Sequence, residues 1–100
     1  MYKGSCLCGT VQFELHGGIS DIVYCHCSLC RKAQGSAYAT NGFAEQAESR
    51  SISGEDNLTA FEFPQGNIKH FSTASGSSII GNKDHKYPGR LRLRLGTIDS

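Results

Sequence analysis

Three cysteines fall within six residues, in the stretch Cys25-His26-Cys27-Ser28-Leu29-Cys30. This C-x-C-x2-C crowding constrains the chain more than any other feature. A disulfide joins two sulfurs, so three adjacent thiols leave one over, whereas a soft divalent metal takes all three. Zinc favours thiolate at about 2.3 Å and a tetrahedron of four ligands. The local sequence supplies three and leaves a fourth position open. Closed zinc sites are structural, and sites with an open position are catalytic.

The rest of the composition fits a metal-stapled chain. One hundred residues suit a single domain over 1–100, and 38% hydrophobic content without tryptophan gives it a limited core. Chains this small commonly add a structural metal. A formal net charge of +1 supplies no general drive toward nucleic acid or an anionic membrane. No apolar run reaches the roughly 18 residues of a membrane helix, and Met1-Tyr2-Lys3-Gly4-Ser5 lacks the apolar segment of a signal peptide. The expected compartment is the cytoplasm, with reduced thiols. All five cysteines lie in the first 30 residues, and an odd number argues against a fully paired disulfide framework.

Read in order, the chain is a series of short strands. Ser5-Cys6-Leu7-Cys8-Gly9 is a second cysteine pair closed by a glycine that permits a sharp turn. Val11 to Leu15 alternates apolar and polar residues, a half-buried strand. Ile22-Val23-Tyr24 leads into Cys25. Ser28 is the expected cap of a short helix over residues 29–34, stopped by Gly35. Ser36 to Thr40 is β-compatible and residues 44–49 read as a loop. Strands follow at Arg50–Gly54, Leu58–Phe63 and Ile68–Phe71, with a hairpin turn at 64–67. Residues 72–78 form a tight loop before Ile79-Ile80. Arg90-Leu91-Arg92-Leu93-Arg94-Leu95 is the clearest strand, with leucines on the core face and arginines on a basic, solvated one. The count is seven or eight short strands and one short helix, which is mainly β and antiparallel.

Several side chains near the cluster carry alternatives. If the strand continued through it, Cys25 and Cys27 would share a face and His26 would take the other. His26 is then either a substrate contact or proton carrier, or a packed histidine. Arg31 and Lys32 either balance thiolate charge and hold an anionic substrate, or cover a solvated helix face. His16, His70 and His85 read as exposed. The arginine row either contacts phosphate or lies in solvent beside carboxylates.

Taken together, Gly4-Ser5-Cys6-Leu7-Cys8-Gly9, Cys25-His26-Cys27-x2-Cys30-Arg31-Lys32, Gly35-Ser36-Ala37 and Gly96-Thr97-Ile98-Asp99 resemble the glutathione-dependent formaldehyde-activating family, which includes the centromere protein V domain. The resemblance spans residues 4–99. It implies a small antiparallel fold of β-tent type with two zinc sites. Cys25, Cys27 and Cys30 would hold the catalytic zinc. Cys6 and Cys8 would share a structural zinc with a later C-x2-C pair, and there this chain has Ser72 and Ser75. A hydroxyl is a poor zinc ligand beside thiolate. The second site is therefore expected to be empty or weak, with the serines hydrogen-bonded locally and Cys6 and Cys8 as free thiols. An alternative has Cys6 or Cys8 closing the Cys25 site as fourth ligand.

The resemblance implies a zinc-dependent carbon–sulfur lyase-type activity, formation of S-hydroxymethylglutathione from glutathione and formaldehyde. The expected partner is a small thiol such as glutathione, with His26 or water as the proton source and Arg31 and Lys32 on its carboxylates. The alternative function is a non-catalytic, zinc-stabilised module that binds protein or nucleic acid, for which the near-neutral charge makes nucleic acid the poorer partner.

Overall fold

The computed structural model describes residues 1–63, 68–83 and 89–100, the side chains of Asn82 and Lys83 excepted. In chain order the strands are β1 (Tyr2–Ser5), β2 (Gln12–Leu15), β3 (Ser20–Cys25), β4 (Ala39–Glu45), β5 (Ser49–Ser53), β6 (Leu58–Glu62), β7 (Ile68–Ser72), β8 (Ser78–Lys83) and β9 (Arg90–Arg94). One helix, α1 (Ser28–Gln34), follows β3. Short 3-10 turns cover Gln46–Glu48, Glu55–Asn57 and Leu95–Thr97. The expected hairpin turn at 64–67 and His85 lie outside the described residues.

All strand pairs are antiparallel. One sheet has the order β1-β2-β5 and the other β3-β4-β9-β8-β7-β6. The small sheet covers one face of the large one through an apolar layer. Leu15 of β2, Ala44 of β4 and Leu93 of β9 are buried together, with Phe13, Ile19 and Ile98 packed around them. A second cluster joins Cys6, Val11 and Ile79 to Phe13, Leu58 and Ile80. A cavity of about 520 Å³ remains between these layers. His70 lies on its wall and is half-buried, contrary to the exposed position expected of it.

Strand β1 is absent from the sequence expectation, since Tyr2-Lys3-Gly4-Ser5 has no apolar alternation. Its partners form it. Gly4 pairs with Phe13 on one side and bridges to Ile98 on the other. The C-terminal residues are tied in as well: the Asp99 amide donates to the Lys3 carbonyl at 2.7 Å, and Ser5 Oγ donates to Asp99 Oδ2 at 2.6 Å. Strand β4 runs on to Glu45, through residues expected to be loop, because β9 continues to pair with it there, Ala44 with Leu91 and Glu45 with Arg90.

Strand β9 corrects a larger expectation. Its leucines face the core, as the alternation requires, but its arginines do not lie in solvent. Arg94 is 5% exposed, and Arg92 is half-buried. The register explains why. Asn41 pairs with Arg94, Phe43 with Arg92 and Glu45 with Arg90, so the arginines share the face of Asn41 and Phe43. The guanidinium carbons of Arg90 and Arg92 lie 4.5 and 5.3 Å from the centre of the Phe43 ring. This face of the large sheet, away from the small sheet, carries the cysteine cluster.

Candidate metal centre

Strand β3 ends at Cys25, which pairs with the fully buried Ala39 of β4. The chain then turns through His26 into α1. The helix cap is Cys27, and not Ser28 as the sequence suggested. Cys27 is extended at φ −64° and ψ 158°, and its Sγ accepts from the Cys30 amide at 3.3 Å. A thiol takes the capping role because the same turn has to aim it back at Cys25 and Cys30. Gly35 ends the helix in the left-handed region at φ 70°, as its position implied, and its amide donates to the Arg31 carbonyl at 2.8 Å.

These two turns bring Cys25, Cys27 and Cys30 together. Their sulfurs all lie within 4.8 Å of one another, and Cys25 Sγ is 3.5 Å from Cys27 Sγ. Three ligands at 2.3 Å on a tetrahedron stand roughly 3.8 Å apart. The donor set fits a zinc ion, with room for a fourth ligand. Among the described residues no other group of three such donors lies within that reach, so neither Cys6 nor Cys8 joins this one.

The thiols are not equivalent. Hydrogen bonds to the Cys30 amide and thiol and to the Cys25 thiol lower Cys27 to about 7. Burial, followed by the two neighbouring cysteines, pushes Cys30 up to about 12. Three thiols this close cannot all ionise cheaply without a cation among them.

The cluster opens into a cavity of about 140 Å³ whose opposite wall is strand β9. Asn41, Arg92 and Arg94 line it, with Gly81 of β8 and Lys69 of β7. Arg94 Nη1 donates to Asn41 Oδ1 at 2.7 Å. Burial lowers the Arg94 pKa, and the Cys30 and Cys25 thiolates act in the opposite sense. A Cβ on Gly81 would stand 3.3 Å from Arg94 Cζ, so the glycine leaves space for the guanidinium. Beside this cavity runs a wider groove of about 420 Å³, lined by Leu29, Lys32, Phe61, Phe63, Lys69 and Phe71. The two share Leu29, Phe63 and Lys69. Lys69 Nζ donates to the Ala33 carbonyl at 3.3 Å.

Of the residues singled out in the sequence, Lys32 borders the groove. Arg31 is exposed on the helix. His26 is exposed, its ring 5.2 Å from that of Tyr38, and it does not line the cavity. Asn41, Arg92 and Arg94 were missed as site residues. The Leu–Arg alternation was their signal, read as a core face and a solvent face when both faces are covered.

The second cysteine pair has a different environment. Cys6 is buried, Cys8 is exposed, and their sulfurs are 3.6 Å apart. Burial pushes the Cys6 thiol up. Hydrogen bonds from Ser75, the Val11 amide, Ser72 and Cys8 outweigh it and bring the thiol down to about 6. The Ser75 amide also donates to Ser72 Oγ at 3.3 Å. The two hydroxyls therefore stand against Cys6 as hydrogen-bond donors. Two thiols and two neutral hydroxyls make a poorer zinc donor set than four thiolates.

A family model described as glutathione-dependent formaldehyde-activating enzyme matches residues 1–100. The chain belongs to this family. A crystal structure of a Rhodobacter sphaeroides protein is similar to it, at 27% sequence identity and a TM-score of 0.78, covering 98% of this chain and 88% of that one. No curated protein matches. The family is named as one of enzymes, and the β-strand architecture and cysteine cluster agree with the fold implied by the sequence motifs. No helix among the described residues is long and apolar enough to cross a membrane.

Proposed function

We propose that the chain joins a small thiol to formaldehyde at the Cys25, Cys27 and Cys30 centre, with glutathione as the thiol. One observation carries this reading. Three sulfurs converge within 4.8 Å of one another, and a small cavity walled by cations opens beside them. Zinc held by Cys25, Cys27 and Cys30 would lower the pKa of a thiol bound to it.

The chemistry is an addition. The deprotonated sulfur forms a bond to the carbonyl carbon, the π pair moves to oxygen, and a proton from water completes the S-hydroxymethyl product. The reverse reaction breaks the carbon–sulfur bond, which makes the activity lyase-like. The 140 Å³ cavity has room for formaldehyde and a few waters, and not for a tripeptide. The adjoining groove takes the body of the thiol, with Lys32 on its rim for a carboxylate. Arg31, on the exposed side of the helix, adds long-range attraction for an anion. His26 lies outside the cavity wall and relays protons through solvent. The reduced, glutathione-containing cytoplasm is the compartment this chemistry requires.

The rival reading, a binding module with a basic strand face, loses support because Arg94 is buried and Arg90 and Arg92 lie over Phe43.

The test is zinc content per chain together with adduct formation from labelled formaldehyde and glutathione, for the wild type and Cys27→Ala. One zinc and a rate above the spontaneous reaction, both lost in the variant, are expected. A rate equal to the spontaneous one, or unchanged in Cys27→Ala, sinks the proposal.

A further inference from the structure

The wall facing the cysteines holds more positive charge than its surroundings satisfy. Arg94 is almost wholly buried, and its guanidinium donates to the neutral side chain of Asn41. The Nε atoms of Arg92 and Arg94 are both buried and have no hydrogen-bond partner among the described residues. Buried N–H groups are nearly always paired, and those of a charged group are the costliest to leave bare. No carboxylate lines this cavity among the described residues.

Charge balance points the same way. Three thiolates around a divalent ion sum to one negative charge. Arg92, Arg94 and Lys69 add three positive charges, so the filled centre and its wall retain two positive charges. A guanidinium is a planar fork of donors that matches a pair of anionic oxygens. Gly81 keeps the Arg94 fork free of a Cβ, and Asn41 fixes one of its nitrogens.

We infer that Arg92 and Arg94 form a subsite for a compact oxygen anion, set across the 140 Å³ cavity from the cysteine centre. Its ligand is either a carboxylate of the substrate or the alkoxide formed when sulfur adds to an aldehyde. The second source rests on the proposed function, and the subsite itself does not.

Formate is the probe, a carboxylate small enough for the cavity. It is titrated into the zinc-loaded full chain while the arginine Nε–H resonances are followed by NMR. The subsite requires saturable shifts at Arg92 and Arg94, and roughly tenfold or weaker formate binding in Arg92→Met. Arg92 is only half-buried, so this variant is the one expected to fold. Formate resting on the metal alone leaves both Nε resonances in place, and that result overturns the inference. So does an unchanged affinity in Arg92→Met. Turnover kinetics then separate the two sources. If the alkoxide is the ligand, Arg92→Met lowers kcat at constant KM; if a substrate carboxylate is, it raises KM at constant kcat. Wild-type protein that binds formate at both arginines and makes no adduct removes the proposed function and leaves the subsite standing.

Discussion

Asn41 and Arg94 face each other across the β4–β9 pair, and the arginine Nη1 donates to the asparagine Oδ1 at 2.7 Å. Both side chains are buried, at 2% and 5% exposure. A neutral amide thereby holds a buried cation in line with the cysteine centre. Asn41→Leu removes the acceptor and leaves the guanidinium with one more bare donor. The expected loss is about 2 kcal/mol, or a fall of roughly 8–16 °C in Tm for a chain of this size. Thermal unfolding of the zinc-loaded protein measures it. A Tm within a degree or two of wild type would mean that the bond contributes nothing.

The three clustered thiols differ in readiness to ionise. In the metal-free chain Cys27, held near 7, is about half thiolate at neutral pH, while Cys30, pushed to about 12, stays protonated. Iodoacetamide is expected to label Cys27 before Cys30, with a rate that rises half-way near pH 7. Peptide mapping by mass spectrometry reads the order. Equal labelling of both sites at pH 7 would contradict the assigned asymmetry.

Cys6 links stability to pH. Its folded pKa of about 6 lies below the ordinary thiol value of 9, so folding favours the thiolate. The stabilisation is fully present above about pH 9 and is lost as pH falls through 6. The metal-free chain should lose Tm between pH 9 and 6. Ser72→Ala removes one hydroxyl donor and should show a smaller loss over the same range. If both proteins lose the same amount, Ser72 does not hold the thiolate.

The hydroxyls beside Cys6 also give a gain-of-metal prediction. Ser72→Cys with Ser75→Cys turns two hydroxyl donors into thiolates around Cys6 and Cys8. Zinc content should rise from one to two ions per chain by elemental analysis, with a higher Tm, since a closed four-thiolate site binds only the folded chain. A content that stays at one would show that this corner of the fold cannot close around an ion.

Gly4 marks the join between the chain termini and β2. A Cβ built there would overlap the Phe13 ring. Gly4→Ala therefore forces the ring out of the apolar layer. Overpacking of this kind costs roughly 1–3 kcal/mol, read as a lower denaturant midpoint. Gly18→Ala, where nothing lies within 4 Å of the added atom, serves as the control.

Much of this molecule is legible in its sequence. Period-two alternation locates β2 and β9, and short β-prone runs bounded by turn residues locate most of the strands between them. The C-x-C-x2-C spacing identifies the donor set of the metal centre, because ligands this close in sequence cannot be far apart in space. Gly35 marks the end of the helix by its tolerance of a positive φ. These signals are local, and local sterics enforce them.

What the tertiary structure alone decided were the matters of register and neighbours. Strand β1 exists because β2 and Ile98 lie on either side of Gly4. Cys27 caps α1 in place of Ser28 because the turn is shaped by the need to gather three sulfurs. Above all, the arginines of β9 face the cysteines because β9 sits between β4 and β8 in the sheet, with a covering on each face. A strand's alternation says that its faces differ, and only the packing of the sheets says what each face meets.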